Sequence, residues 1–116
     1  MKQWNYGLAH ELLPSDDRQK AWSRQREGRG FDDTELWALD AAISKFLVPR
    51  LIAFRDLEAG YPSCFQNQDE WATVLNKMIR AFQLCSEDRV IFTDEEKAQK
   101  EEGRKLFHDY FHSLWY

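Results

Sequence analysis

The sequence predicts an all-α protein, a small bundle of about four helices. Two observations carry that prediction. Short polar side chains stand three residues ahead of an acid at three places: Asp32 before Glu35, Asn67 before Glu70, and Thr93 before Glu96. Each of these pairs is followed by apolar residues spaced three and four apart. A short polar side chain at a helix start accepts an orphan backbone N–H. The acid three residues on reaches back to another, and its charge suits the positive helix terminus. Three coincidences of cap and period define three helix starts.

Taken in order, residues 1–14 show no clear period and are expected to form an irregular, extended arm over the core. Ser15 or Asp16 caps a short helix through about Arg26, with Ala21 and Trp22 facing inward, and REGRG stops it. The next helix spans about Asp33 to Glu58. Its stripe is Leu36, Leu39, Ile43, Phe46, Leu47, Leu51 and Phe54, widened by Trp37 and Val48. Pro49 lacks a backbone donor and crowds the preceding turn, which predicts a kink or break there. Gly60 ends this segment, and Tyr61 before Pro62 is pushed out of helical space. A further helix covers about Gln68 to Leu84, with Trp71, Val74, Leu75, Met78, Ile79, Phe82 and Cys85 on one face. The last starts near Asp94 and reaches about Leu114. Its polar first half, which contains Gly103, is expected to overhang in solvent. Its second half docks through Leu106, Phe107, Tyr110, Phe111, Leu114 and Trp115. RVIF at 89–92 is too short to define a strand.

Length and composition narrow the function classes. A chain of 116 residues fits a single domain. Hydrophobic residues at 43% and charged residues at 31% exclude a disordered tail and a membrane-spanning protein. The charge of −4 argues against a dedicated nucleic-acid binder, which needs a basic face. MKQWNYGLAHELLPSDD has one Lys and no continuous apolar stretch, so no signal peptide is expected. Cys64 and Cys85 lie in no zinc-type spacing, and reduced cytoplasmic thiols are the expectation. Aromatic residues at 15% imply a ring-rich core, an aromatic binding surface, or both.

Several clusters are candidates for function, each beside a structural alternative. GFDDTELWALD gathers four acids and a tryptophan. Its acids read as a helix start, with Trp37 and Asp40 closing the core behind it. RQKAWSRQREGRG holds Arg18, Lys20, Arg24, Arg26 and Arg29 against Glu27 alone, a local charge of +4 around Trp22. Arginine beside a ring suits phosphates and a stacked base. The alternative is a solvated face whose arginines pair with the acids at 94–102. Arg50 stands just after Pro49, where it can satisfy freed carbonyls, pair with a buried Asp40, or contact a ligand. His108 and His112 have the i, i+4 spacing of a zinc clamp, but Asp109 replaces the glutamate of the zinc-protease motif and no third histidine follows. They are weak metal candidates, and surface or interface histidines are the simpler reading. Trp4, Tyr6, Trp115 and Tyr116 are rings near the chain ends, which suggests a packed arm or an oligomer interface. There is no glycine-rich phosphate loop and no GxSxG.

RGFDDTELWALDAAISKFLVPRL, then GYP, then EWATVLNKMIRAF, then EEGRKLFHDYFHSLW resembles a group of small proteins encoded by bacteriophages and prophages. The resemblance covers about residues 20–116. That group has no firmly assigned activity, so no functional residues carry over. It implies expression in the cytoplasm of a bacterial host and a role in the contest between phage and host.

The resulting expectation is a non-enzymatic, homo-oligomeric binding protein without a cofactor, which sequesters or masks a host component. In its sharper form the ligand is a nucleotide-type small molecule, with phosphates on Arg24, Arg26, Arg29 or Arg50 and its base on Trp22 or Trp37. The alternatives are a protein–protein or virion module using the aromatic termini, with no small ligand, and a metal-dependent hydrolase using His108, His112 and an acid.

Overall fold

The computed structural model describes residues 18–116. Its elements are α1 (Arg18–Arg29), α2 (Thr34–Trp37), α3 (Leu39–Leu57), α4 (Gln68–Cys85) and α5 (Asp94–Asp109), followed by a 3-10 turn at Phe111–Ser113. Among the described residues there is no strand, and RVIF is irregular. The protein is therefore all-α, as the caps and periods predict. Trp4, Tyr6, the N-terminal arm and the Ser15 or Asp16 cap lie outside the described residues. The chain divides into two compact units, Met1–Leu39 and Asp40–Tyr116.

In the first unit α1 runs through REGR and stops only at Gly30, whose φ of 87° lies in the left-handed region that glycine adopts without strain. Ala21 is fully buried, as expected. The Asp32–Glu35 pair works as a cap, although the helix it starts is short. Asp32 Oδ1 accepts from the Thr34 backbone N–H at 2.9 Å, and Glu35 Oε2 accepts from the Asp32 N–H at 2.9 Å. The turn after it is only four residues long, and the backbone departs from helical geometry at Ala38 (φ −136°, ψ 70°). The helix expected over about Asp33 to Glu58 is thus interrupted at Ala38.

In the second unit α3 passes through Pro49 without interruption. Proline deprives the Lys45 carbonyl of its helical donor. The neighbouring Phe46 carbonyl also accepts from Arg50 Nη1 at 3.0 Å. Arg50 is therefore not the buried partner of Asp40, and Asp40 itself is exposed. α3 ends at Leu57, where Glu58 takes the left-handed conformation (φ 49°).

α4 is capped by Asn67, whose Oδ1 accepts from the Glu70 N–H at 2.9 Å. Trp71, Leu75, Met78, Ile79 and Phe82 are buried along one stripe of it, as their period requires. With Leu51 of α3 they form the core, and Leu47, Phe54, Leu106, Phe107 and Tyr110 pack at its edge. Thr93 and Glu96 make a complete capping box at the start of α5.

α4 and α5 form an antiparallel hairpin, the most extensively packed helix pair among the described residues. Arg80 meets Gln99, Lys77 meets Glu102, and Trp71 meets Tyr110. Gly103 is buried at the crossing. A Cβ built there would overlap Ala81 Cβ and the Lys77 carbonyl oxygen. The polar first half of α5 is therefore docked on α4 and is not an overhang. Its helix also stops at Asp109, before the length the sequence predicts.

Candidate binding site

The basic run turns inward upon its own acids. Arg29 and Asp33 form an ion pair at 2.8 Å with side chains only 7% and 5% exposed. Gln25, also buried, closes a two-way contact: its Nε2 donates to Asp33 Oδ2 at 3.0 Å, and the Asp33 N–H donates to its Oε1 at 2.9 Å. Arg26 pairs with Asp32 at 2.6 Å. Burial alone would raise the Asp32 carboxyl, but the Thr34 and Arg26 hydrogen bonds and the Arg26 charge hold it below its ordinary value. Buried charges are tolerated only with such partners. Arg26 and Arg29 are thus matched to Asp32 and Asp33.

Of the other candidates in this unit, Arg24 is exposed. Trp22 and Trp37 do meet, edge to face, with centroids 5.8 Å apart. The Trp22 indole N–H is buried and has no hydrogen-bond partner among the described residues. Trp37 is 63% exposed, so neither it nor Asp40 closes a core.

In the second unit the Arg50 guanidinium lies over the Phe46 ring, 3.8 Å from its centroid. His108 is exposed on α5 beside Asp109, and His112 sits in the 3-10 turn beyond the helix end, so the two do not share a helical face. Among the described residues no group of three or more His, Cys, Asp and Glu could hold a metal ion.

The C-terminal rings line a cleft in this unit. Trp115 and Tyr116 follow the 3-10 turn and form one wall of a cleft of about 320 Å³. The other wall is the turn after α3, at Ala59, Gly60, Tyr61 and Pro62, and the floor is Trp71 of α4, with Ser113 at the side. A ring contact between Phe54 and Tyr116, 6.4 Å between centroids, ties the C-terminal segment to α3. Trp71 is fixed in turn by Phe65 and Tyr110, at 5.6 and 5.7 Å. Four rings thus line a space to which the described residues contribute no Arg, Lys, Asp or Glu. Trp115 and Tyr116 were singled out in the sequence. Tyr61 and Pro62 read there only as a turn and Trp71 only as core, because their meeting is long-range and leaves no periodic trace.

No helix of the described residues is long and apolar enough to cross a membrane. Comparison with protein-family models, with curated proteins and with solved structures returned no match.

Proposed function

We propose that the protein is a non-catalytic binding protein that masks a host component by holding an apolar, proline-bearing segment of it in the aromatic cleft. The observation that carries this reading is the cleft itself: Tyr61, Trp71, Trp115 and Tyr116 around one space, with no charged side chain among its described lining residues. Rigid rings in an uncharged groove suit proline rings and extended apolar chain, which lose little entropy on binding. A volume of about 320 Å³ is near the lower end of small-ligand pockets, roughly 300–1,000 Å³. It suits one or two side chains. A nucleotide would find rings there but no cation for its phosphates, and Arg26 and Arg29 already hold carboxylates. The resemblance to phage-encoded proteins supports a bacterial host as the setting.

The test is calorimetric titration of the full chain with a decaproline peptide and, separately, with ADP. The reading predicts heat from the peptide, lost in Trp115→Ala and retained in Arg24→Ala, and none from ADP. Binding of ADP that depends on Arg24, or no response to the peptide, would overturn it.

A further inference from the structure

α3 is apolar on two sides. One side carries Leu47, Leu51 and Phe54 into the core. The other carries Ile43, Phe46, Ala53 and Leu57, all exposed, with Ile43, Phe46 and Leu57 at 50%, 56% and 51%. At about 100° per residue these four and Arg50 fall within an arc of roughly 80°, and at about 1.5 Å per residue they extend for about 21 Å. A surface helix normally turns a polar face outward, and one that is apolar all round is a covered helix.

We propose that this stripe is the interface of an antiparallel homodimer, with α3 of each copy packed on α3 of the other about a two-fold axis near Arg50. This is independent of the cleft, since none of the cleft's lining residues takes part. Three features favour a second copy as the occupant. First, the stripe maps onto itself when reversed about Arg50. Ile43 then meets Leu57, and Phe46 meets Ala53, a large side chain against a small one, as a self-complementary two-fold contact requires.

Second, the charges at its edge match in the same register. Lys45 and Asp56 are both exposed and lie on the same flank of the stripe, about 20° apart around the helix. A two-fold contact sets like flanks together with the chain direction reversed, so Lys45 of each copy meets Asp56 of the other. Asp56 is paired in its own chain with Arg55 at 3.0 Å, but its side chain is 63% exposed and open to a second cation.

Third, the one charge within the stripe is drawn away from the axis. Arg50 donates to the Phe46 carbonyl at 3.0 Å and stacks on its ring at 3.8 Å, one turn back along the helix. In an antiparallel pair the two guanidiniums shift in opposite directions. Each moves by about 6 Å along the axis, which separates them by roughly 12 Å, more than the Debye length of about 8 Å at physiological salt.

The test is sedimentation velocity of the full chain across a micromolar concentration series. Phe46→Glu, Lys45→Glu and the double variant Lys45→Glu with Asp56→Lys are run beside the parent, and circular dichroism confirms that each is folded. The parent should reach twice 13.9 kDa. Phe46→Glu should remain a monomer throughout. Lys45→Glu should weaken the dimer about tenfold by setting two acids together twice, and the double variant should recover it. A parent that stays monomeric, a dimer indifferent to Phe46→Glu, or a charge swap that restores nothing would each overturn the proposal.

Discussion

Gly103 of α5 lies against Ala81 of α4 so closely that no Cβ fits between them. This contact sets the spacing of the helical hairpin and so the depth at which Trp71 and Tyr110 meet behind the cleft. It also makes a prediction whose sign is diagnostic. On an exposed helix, Gly→Ala gains about 0.5–1 kcal/mol of helix propensity. At Gly103 one of the two obstacles is backbone, the Lys77 carbonyl, which cannot swing aside as a side chain would. Gly103→Ala should therefore destabilise by a net ~1–3 kcal/mol. Urea denaturation measures it, and a stabilised variant would mean that the first half of α5 stands free in solvent.

Arg29 and Asp33 are both buried in their ion pair. Removing Arg29 takes this counter-charge from the buried Asp33 carboxylate, and breaking a buried pair typically costs roughly 3–5 kcal/mol. Arg29→Ala should collapse the amide-exchange protection of α1. Arg24→Ala, at an exposed position, should leave it within about 0.5 kcal/mol of the parent. Equal protection in the two variants would count against a structural role for Arg29.

Glu96 joins the α5 capping box to Arg89, with which it is closely paired. Hydrogen bonds from Arg89 first, and then from the Thr93 backbone N–H, lower its pKa from 4.5 to about 2. The folded value lies below the unfolded one. Its stabilising contribution is therefore complete above about pH 4.5 and is lost as pH falls towards 2. The urea midpoint of the parent should drop across that window. Glu96→Gln keeps an oxygen for the cap but not the charge, so it should start lower at neutral pH and fall less on acidification. Parallel pH profiles would contradict this coupling.

Much of the fold was legible because helix starts and core stripes are local signals. Thr93, Asn67 and the α4 stripe need only neighbours in sequence to be read. Where the reading failed, the deciding contact was distant or the pattern ambiguous. Leu36, Leu39, Ile43 and Phe46 fitted one stripe with Leu47 and Leu51, yet they are half-exposed or more while Leu51 is buried. Spacings of three and four define a face, but a helix with two apolar faces satisfies them on both. Gly103 falls in the polar half of α5 expected to overhang in solvent, because nothing local shows what lies opposite. Pro49 predicts a kink or break, yet α3 continues through it, and the chain leaves helical geometry at Ala38, which no local signal marks. In the candidate sites, Arg26 and Arg29 next to Asp32 and Asp33 were visible as opposite charges, but their pairing depended on the turn at Gly30. The cleft needed residues about fifty apart, Tyr61 and Trp115, to come together.

The most direct test of the central claim is a ¹H–¹⁵N correlation spectrum of the full chain during titration with decaproline. The account predicts progressive shifts of the Trp115 and Trp71 indole signals and of the Gly60 and Ser113 amides, with Trp22 and Gly30 unmoved. Shifts confined to Trp22, Trp37 and Gly30, or a spectrum that does not change, would contradict the assignment of binding to the aromatic cleft.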